Sequence, residues 1–218
     1  MATTLEESDE ILLDRLRRRL YEHPLPGRSA QQEMAPKLRG EYGDPPADAR
    51  RAAILALLYP VEAKLHLLYI QRTSPANDRH AGQIGFPGGS VESTDTSTEA
   101  TALRETEEEV GVSRTEVEVL GALTPLYIPV SNFLVDPYVG LLRERPTLIP
   151  QTSEVARTLE VPLSGLLEKS ARRTGTRLLS SELKLPDTPY WAVGEEEIWG
   201  ATAMMTAELI ALLREQRV

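Results

Sequence analysis

The stretch HAGQIGFPGGSVESTDTSTEATALRETEEEVGV, residues 80–112, combines a glycine turn with a run of glutamates. The turn is Phe86-Pro87-Gly88-Gly89, and a polar loop rich in Ser, Thr and Asp follows it. The charged residues come near the end of the stretch: Arg104, Glu105, Glu107, Glu108 and Glu109. This order predicts a unit of turn, loop and helix around which the rest of the chain is arranged.

Local signals predict both ends of that helix. Thr96-x-x-Glu99 has the spacing of a capping box, in which two side chains satisfy free backbone N–H groups. The helix is therefore expected to start near Ser97. Gly111 predicts its end, because a residue without a Cβ atom adopts positive φ without a steric penalty.

Three carboxylates share one side of the predicted helix. At about 100° per residue, Glu105, Glu108 and Glu109 fall within an arc of about 100°. The apolar residues on the opposite side are expected to pack against a sheet: Ala100, Leu103 and Val110. An acidic run most often faces water, but the neighbouring glycine turn and the single Arg104 favour a cation site.

The cofactor that this arrangement predicts is Mg²⁺ or Mn²⁺. Hard divalent ions bind carboxylate and carbonyl oxygens. We therefore expect the metal ligands to be Glu105, Glu108, Glu109 and the carbonyl oxygen of Gly89. Arg104 is expected to orient Glu105 or a neighbouring carboxylate through an ion pair, without touching the substrate.

The sequence resembles the Nudix hydrolases, whose box reads G-x(5)-E-x(7)-R-E-U-x-E-E-x-G-U, with U a bulky apolar residue. The residues that match the box in order are Gly89, Arg104, Glu105, Glu108, Glu109, Gly111 and Val112. Thr106 replaces the first bulky apolar residue, and one extra residue separates Asp95 from Arg104, so the counterpart of the first box glutamate stays open. The resemblance implies an α/β (α+β) fold, namely an α/β/α sandwich with a mixed β-sheet, and metal-dependent cleavage of diphosphates.

The segments around the box resemble one branch of that family, the coenzyme A diphosphatases. Their signature, roughly L-L-T-x-R-S/A, then R, then G-x(3)-F-P-G-G, is similar to the segment that ends in the glycine turn. This chain departs from it at Tyr69-Ile70, Thr73 and Asp78. The resemblance implies that the substrate-binding residues are Arg72, Arg79, His80, Gln83, Phe86 and Gly88. The alternative for His80 is a hydrogen bond within a turn.

Two glutamates are candidates for the general base of the reaction. Glu105 follows Arg104 in the helix, and Glu154 lies in a late loop, where Nudix enzymes often keep a base or an extra metal ligand. The alternative for Glu154 is a structural cap. We favour Glu154 as the base and Glu105 as a metal ligand, so the expected catalytic residues are Glu105, Arg104 and Glu154.

Composition narrows the class of protein. The 218-residue chain has a formal net charge of −9 and no cysteine. The charge argues against a general nucleic-acid binder, and the lack of cysteine excludes a thiolate nucleophile. The longest apolar run, 52–59, is shorter than the ~20 residues that span a bilayer. We expect a cytoplasmic enzyme with a small-molecule diphosphate partner, no nucleic acid and no membrane; a homodimer is left open.

The chain is expected to divide near residue 50. Residues 1–50 are predicted to form an amphipathic helix over 5–22 and a Pro/Gly-rich arm outside the core, and residues 51–218 the Nudix domain. The predicted apolar stripe of the first helix is Ile11, Leu12, Leu16 and Leu20. The unbroken apolar run at 52–59 predicts a central strand covered on both faces. The short connection over 60–63 predicts a hairpin to a second strand at 64–71. The later predicted elements are strands at 117–126 and 133–142, a loop running into a strand over 154–162, a short helix from 163, edge strands at 177–179 and 190–193, and an amphipathic helix over 202–214.

Three classes of function are compatible with these features. The first is hydrolysis of coenzyme A or its derivatives to phosphopantetheine and adenosine 3′,5′-bisphosphate. The second is hydrolysis of another nucleoside diphosphate derivative, such as a dinucleotide, a nucleotide sugar or a damaged nucleotide. The third is a non-catalytic ligand sensor. The intact arginine and glutamates argue against the third class, and the turn from Phe86 to Gly89 favours the first over the second.

Overall fold

The computed structural model describes residues 5–21, 24–36, 44–73, 82–178 and 184–214. These residues form a mixed α+β fold. The α-helices are α1 (Glu7–Tyr21), α2 (Gly27–Gln32), α3 (Thr98–Val110), α4 (Leu163–Leu167) and α5 (Gly200–Leu213). The strands are β1 (Arg50–Val61), β2 (Lys64–Arg72), β3 (Ile84–Gly85), β4 (Gly88–Ser90), β5 (Glu118–Ala122), β6 (Leu126–Ile128), β7 (Phe133–Leu141), β8 (Val155–Pro162), β9 (Arg172–Leu178), β10 (Lys184–Val193) and β11 (Glu196–Trp199).

The main sheet is mixed and has β1 near its centre. β1 pairs antiparallel with β2 and parallel with β7, and β4 pairs with part of β1. β3 and β8 pair with β2, while β5 and β6 pair with β7. Glu62 and Ala63 turn the chain between β1 and β2 at φ values of 49° and 65°, which confirms the hairpin predicted there. The mixed sheet predicted from the family resemblance is therefore correct.

Strand β1 is covered on both faces, as its unbroken apolar run predicted. Ala53, Leu55 and Leu57 belong to a core cluster that α3 completes from one side. Ala56 and Leu58 belong to a larger cluster on the other side, to which α1 and α5 contribute. Helices thus lie on both faces of the sheet, and α3 is separated from α5 by the sheet.

Two predicted strand assignments need correction. Instead of one strand over 117–126, the chain forms β5 and β6, because residues 123–125 leave regular pairing where the Thr124 N–H turns to Glu208. The two predicted edge strands are parts of β9 and β10, which pair with each other in a separate three-stranded antiparallel sheet. β10 is the central strand of that sheet, because it also pairs with β11. These three strands form their backbone hydrogen bonds with one another, so they do not need to join the main sheet.

The terminal helix α5 is not amphipathic, contrary to the prediction. Ten of its fourteen residues are buried, because α1, α2, the three-stranded sheet and β6 surround it. Its one acidic residue, Glu208, is fully buried and accepts hydrogen bonds from the Gly27 N–H, from Gln31 Nε2, and from the N–H and hydroxyl of Thr124. A polar residue inside the core is tolerated here because donors surround its carboxylate.

The N-terminal segments also differ from expectation. In α1, Ile11 is 53 % exposed and Leu13 takes its place in the core beside Leu16 and Leu20. In the segment after α1, Gln31 and Met34 are each only 1 % exposed, so this segment contributes to the core and does not merely lie on it. The division of the chain at residue 50 stays a prediction. None of the described helices is both long and apolar enough to cross a membrane.

Candidate active site

Helix α3 begins and ends close to the predicted positions. Ser97 is the N-cap, and its hydroxyl accepts a hydrogen bond from the Ala100 N–H at 3.0 Å; the capping residue is thus one position later than the predicted Thr96. Gly111 ends the helix in the left-handed conformation with φ of 73°, as predicted. Thr106 is buried, and its hydroxyl donates to the Ala102 carbonyl at 2.7 Å, which satisfies a polar group at a position where the box is usually apolar.

The glycine turn lies directly against this helix. A Cβ atom on Gly88 would be 2.3 Å from the Ala53 carbonyl oxygen, and one on Gly89 would be 2.5 Å from the Glu105 carboxylate. Gly88 meets backbone atoms and has a φ of 150°, so this position requires glycine. A side chain at position 89 would instead displace the Glu105 carboxylate. The Gly88 N–H also donates to Glu109 Oε2 at 2.8 Å. The turn therefore brings its backbone into contact with two glutamates of α3.

Arg104 is held among three carboxylates. Its Nε and Nη2 atoms donate to the two oxygens of Asp95 at 2.9 and 3.0 Å. Its Nη1 atom lies 3.0 Å from Glu105 Oε1 and 3.0 Å from Glu108 Oε2. Its Nη2 atom also donates to the Ser90 carbonyl at 3.2 Å. The predicted ion pairs of Arg104 are therefore present, and they include Asp95, which the candidate set did not contain.

Asp95 closes the arginine clamp from the loop side. Its carboxylate also accepts hydrogen bonds from the Glu92 N–H and the Thr101 hydroxyl. The hydrogen bond from Arg104 is the main reason that the pKa of Asp95 lies well below its ordinary value. The extra residue in the loop is accommodated without loss of this pair. Two features of the sequence could have identified Asp95. It lies two residues before the N-cap Ser97, and the helix that follows carries a single arginine, Arg104.

The carboxylates of Glu109 and Glu105 are poorly exposed to solvent. Glu109 is 2 % exposed, and burial raises its pKa to about 7. Two interactions lower the pKa of Glu109 and offset this rise only in part. They are the hydrogen bond from Gly88 and the charge of Arg72, whose Nη1 atom lies 3.7 Å from Glu109 Oε1. Burial also raises the pKa of Glu105, against the lowering effect of Arg104. Glu108, in contrast, is exposed.

Glu154 stands beside this cluster at the end of a loop fastened to α3. The Gln151 N–H donates to the Glu109 carbonyl at 2.9 Å, and the Glu154 N–H donates to the Gln151 carbonyl at 2.9 Å. The Glu154 carbonyl accepts from the Thr73 N–H at 2.8 Å. The charge of Glu154 raises the pKa of both Glu105 and Glu109, so the fold brings this distant glutamate to the site.

The predicted substrate-binding residues fall into three groups. Arg72 is partly exposed, and its N–H donates to the Gln83 carbonyl at 3.0 Å, so this pair lies together at the edge of the site. Phe86 is only 6 % exposed and stacks on Tyr69 with ring centroids 4.7 Å apart. Its ring therefore packs beneath the turn, and its contact with substrate stays a prediction. Arg79 and His80 lie outside the described residues.

The donor atoms at this site suit a hard divalent cation. The carboxylates of Glu105 and Glu109 lie against the glycine turn, and Glu108 shares Arg104 with Glu105. All three supply oxygen donors, which hard divalent cations prefer. Within the described ranges, no three His, Cys, Asp or Glu side chains are arranged to hold a metal as they stand. Because Arg104 engages Glu105 and Glu108, these two would have to turn from it to become ligands.

Solved structures of similar shape share little sequence with this chain. A MutT/nudix family protein from Enterococcus faecalis aligns with a TM-score of 0.46 at 23 % identity, covering 79 % of this chain and 63 % of that one. An Ap4A hydrolase from C. elegans aligns with a TM-score of 0.45 at 18 % identity, covering 52 % and 80 %. Similarity at this level does not bear on the substrate.

Curated relatives are more similar. A protein of Photorhabdus laumondii named uncharacterized Nudix hydrolase NudL is 44 % identical over 155 residues, 71 % of this chain and 81 % of the relative. The NudL of Pectobacterium atrosepticum is 40 % identical over 135 residues, 61 % of this chain and 65 % of the relative. Human mitochondrial coenzyme A diphosphatase NUDT8 is 34 % identical over 163 residues, 74 % of this chain and 69 % of the relative.

A family model described as the NUDIX domain matches residues 49–174, which is more than half of the chain. The matched region contains the glycine turn, the arginine clamp and the glutamates of α3, and it also includes the loop that carries Glu154. The chain belongs to the Nudix hydrolase family.

Proposed function

We propose that this chain hydrolyses the diphosphate bond of coenzyme A or one of its derivatives, and that the products are phosphopantetheine and adenosine 3′,5′-bisphosphate. The observation that carries the proposal is the contact of the glycine turn with Glu105 and Glu109, with Arg72 beside them. Coenzyme A as the substrate is supported by the signature before the box. It is also supported by the human relative, which is named as a coenzyme A diphosphatase.

Nudix hydrolases generally need divalent metal ions, and the acidity of this surface gives a physical reason. Residues 92–109 contain seven acidic side chains and a single arginine, so a bare diphosphate would be repelled. Glu105, Glu108, Glu109 and the Gly89 carbonyl would hold Mg²⁺ or Mn²⁺. Such ions, when bound, neutralise phosphate charge and lower the pKa of a water molecule.

Arg72 is the described cation best placed to contact substrate. Its guanidinium lies at the edge of the acidic cluster, and its side chain is 39 % exposed. Among the described residues its guanidinium makes no hydrogen bond, and it lies 3.7 Å from Glu109. Guanidinium groups bind phosphate oxygens through paired N–H donors. We assign Arg72 to orientation of the diphosphate relative to the glutamates.

Glu154 is the better of the two candidates for the general base. Glu105 lies against Gly89, and its Oε1 atom is 3.0 Å from Arg104 Nη1, so one of its oxygens is already paired. Among the described residues no hydrogen bond or ion pair holds the Glu154 carboxylate, although its backbone is fastened on two sides. We therefore assign Glu154 the role of accepting a proton, at a carboxylate oxygen, from the water that attacks phosphorus.

Two of the positions at which this chain departs from the signature of the coenzyme A diphosphatases lie in the core and do not face the site. Tyr69 and Ile70 are each at most 1 % exposed, and Tyr69 donates to or accepts from Thr206 in the core. A change at these positions alters packing beneath the turn rather than a surface that faces substrate. Asp78 lies outside the described residues, so the second candidate function, hydrolysis of another nucleoside diphosphate derivative, is retained.

Hydrolysis assays on coenzyme A, NADH, ADP-ribose and 8-oxo-dGTP, each with Mg²⁺ and Mn²⁺, test the proposal. We expect the highest kcat/KM for coenzyme A or a thioester of it, and no turnover in EDTA. Reaction in H₂¹⁸O followed by mass spectrometry of both products shows which phosphorus accepts the oxygen. Cleavage of another diphosphate without cleavage of coenzyme A would replace the first function with the second.

A further inference from the structure

A cavity of about 300 Å³ opens on the side of the main sheet away from α3. Its walls come from α1, the residues on either side of α2, the start of β9, β10, and α5 with the residue that follows it. It shares no lining residue with the glutamate cluster or with the loop of Glu154. The volume lies at the lower end of the range for pockets that hold small organic molecules.

Basic side chains dominate the charge of this cavity. Among the residues that the structure describes, Arg19, Arg172 and Arg214 line it together with one acidic residue, Glu33. Arg172 is paired with Glu33 at 2.6 Å, whereas Arg19 donates to the backbone carbonyl of Arg214 at 3.3 Å. A carbonyl carries no formal charge, so the lining keeps an excess of positive charge in a chain whose net charge is −9. An anion would offset that excess.

The floor of the cavity is apolar and fixed in position. Trp191 is 1 % exposed, and its indole N–H donates to the Ala203 carbonyl at 3.1 Å. Ile210 and Ala211 of α5 continue the floor. Because a hydrogen bond and core packing hold the indole, the cavity keeps its shape without a ligand, which lowers the entropic cost of binding.

We propose that this cavity binds a small organic anion, a carboxylate or phosphate carried on an apolar or planar body. The guanidinium groups of Arg19 and Arg214 bind the anionic group, and the floor at Trp191 and Ile210 takes the apolar body. The inference is independent of the proposed function, because none of the residues it uses belongs to the catalytic site.

Phenyl phosphate is a probe that carries both features, and its binding can be measured on the full chain in EDTA. The Trp199→Phe variant leaves Trp191 as the single tryptophan, so its fluorescence reports on the cavity. We expect saturable binding of phenyl phosphate, at least about tenfold tighter than phenol or inorganic phosphate. Binding should weaken as salt is added, since screening reduces charge–charge attraction.

Two variants test the location of that binding. Arg19→Gln combined with Arg214→Gln should weaken phenyl phosphate binding at least about tenfold, and Ala211→Phe should abolish it by filling the space. Arg143→Gln is the matched control, because this arginine is 84 % exposed and lies outside the cavity. Circular dichroism melts establish that each variant is folded. No saturable binding to the parent chain, or equal binding in the charge and filling variants, would overturn the proposal.

Discussion

Two buried glutamates, one on each side of the main sheet, have opposite surroundings. Glu208 in α5 is fully buried and accepts hydrogen bonds from Gly27, Gln31 and Thr124. Glu109 in α3 is almost as buried, but within the described part of the chain it accepts one hydrogen bond, from Gly88, and lies 3.7 Å from Arg72. Burial, together with the neighbouring carboxylates, raises the pKa of Glu109 to about 7.

The difference separates a structural carboxylate from one with a chemical role. A buried polar group that is fully hydrogen-bonded stabilises the fold, whereas one that lacks partners costs free energy unless something else compensates. Glu109 lies among acidic neighbours, next to a turn that only glycine can form. The unfavourable position is therefore consistent with a site that a cation completes.

The largest expected effect is on the acidic side of the sheet. Glu108→Gln and Glu109→Gln should each lower kcat/KM by about 10³-fold or more, because loss of a metal ligand removes several kcal/mol of transition-state stabilisation. The free energy of unfolding of Glu109→Gln should be unchanged or higher, since a poorly compensated buried charge is lost. Steady-state kinetics and urea melts measure both. A fully active Glu108→Gln enzyme would contradict the metal assignment.

Glu154, the glutamate of the late loop, should respond differently from the proposed metal ligands of α3. Glu154→Gln should lower kcat by about 10²–10⁴-fold if this residue is the base, while metal affinity measured by calorimetry stays nearly unchanged. A matched Gln151→Ala change, which alters a neighbouring side chain of the same loop, serves as the control. Loss of metal affinity in Glu154→Gln would make this residue a ligand and leave Glu105 as the base.

For Glu208 we expect the reverse: a large loss of stability with little change in activity. Glu208→Ala should lower the free energy of unfolding by about 3 kcal/mol or more, because it leaves several buried donors without an acceptor. The kcat of the protein that remains folded should stay close to that of the parent chain. Chemical denaturation and active-site-normalised kinetics measure the two quantities. A stable Glu208→Ala protein with low activity would invalidate the distinction between the two glutamates.

A smaller effect is expected at the arginine clamp. Arg104→Ala should lower kcat by about 10–100-fold, the cost typical of residues that hold metal ligands in place. KM should change little, because Arg104 contacts Asp95, Glu105 and Glu108 and is only 11 % exposed. Partial rescue by Arg104→Lys, which keeps the charge, would support this role. A variant that changes KM alone at saturating metal would instead indicate contact with substrate.

We expect the smallest effect at Glu107, which belongs to α3 but not to the cluster of Glu105, Glu108 and Glu109. Glu107 pairs with Arg114 at the surface, so Glu107→Gln should alter stability by less than about 0.5 kcal/mol. Its activity should match that of the parent chain. It is the control for Glu108→Gln, since the two substitutions remove the same charge from adjacent positions.

Local pattern alone was sufficient for several features of this protein. The spacing of Glu105, Glu108 and Glu109 placed them on one side of a helix, and Gly111 marked where that helix ends. The unbroken apolar run before the hairpin identified a strand covered on both faces. These features follow from backbone geometry over a few residues, which neighbouring parts of the chain do not change.

Only the tertiary structure decided which residues lie together across long separations. It placed Asp95 on Arg104 despite the extra loop residue, brought Glu154 beside α3, buried Phe86 under the turn and enclosed α5 on all sides. A sequence pattern shows which side of a helix is apolar, but the number of neighbours that cover it depends on packing. Burial, the hydrogen-bond partners of Glu109 and Glu208, and the arginine-lined cavity are consequences of that packing.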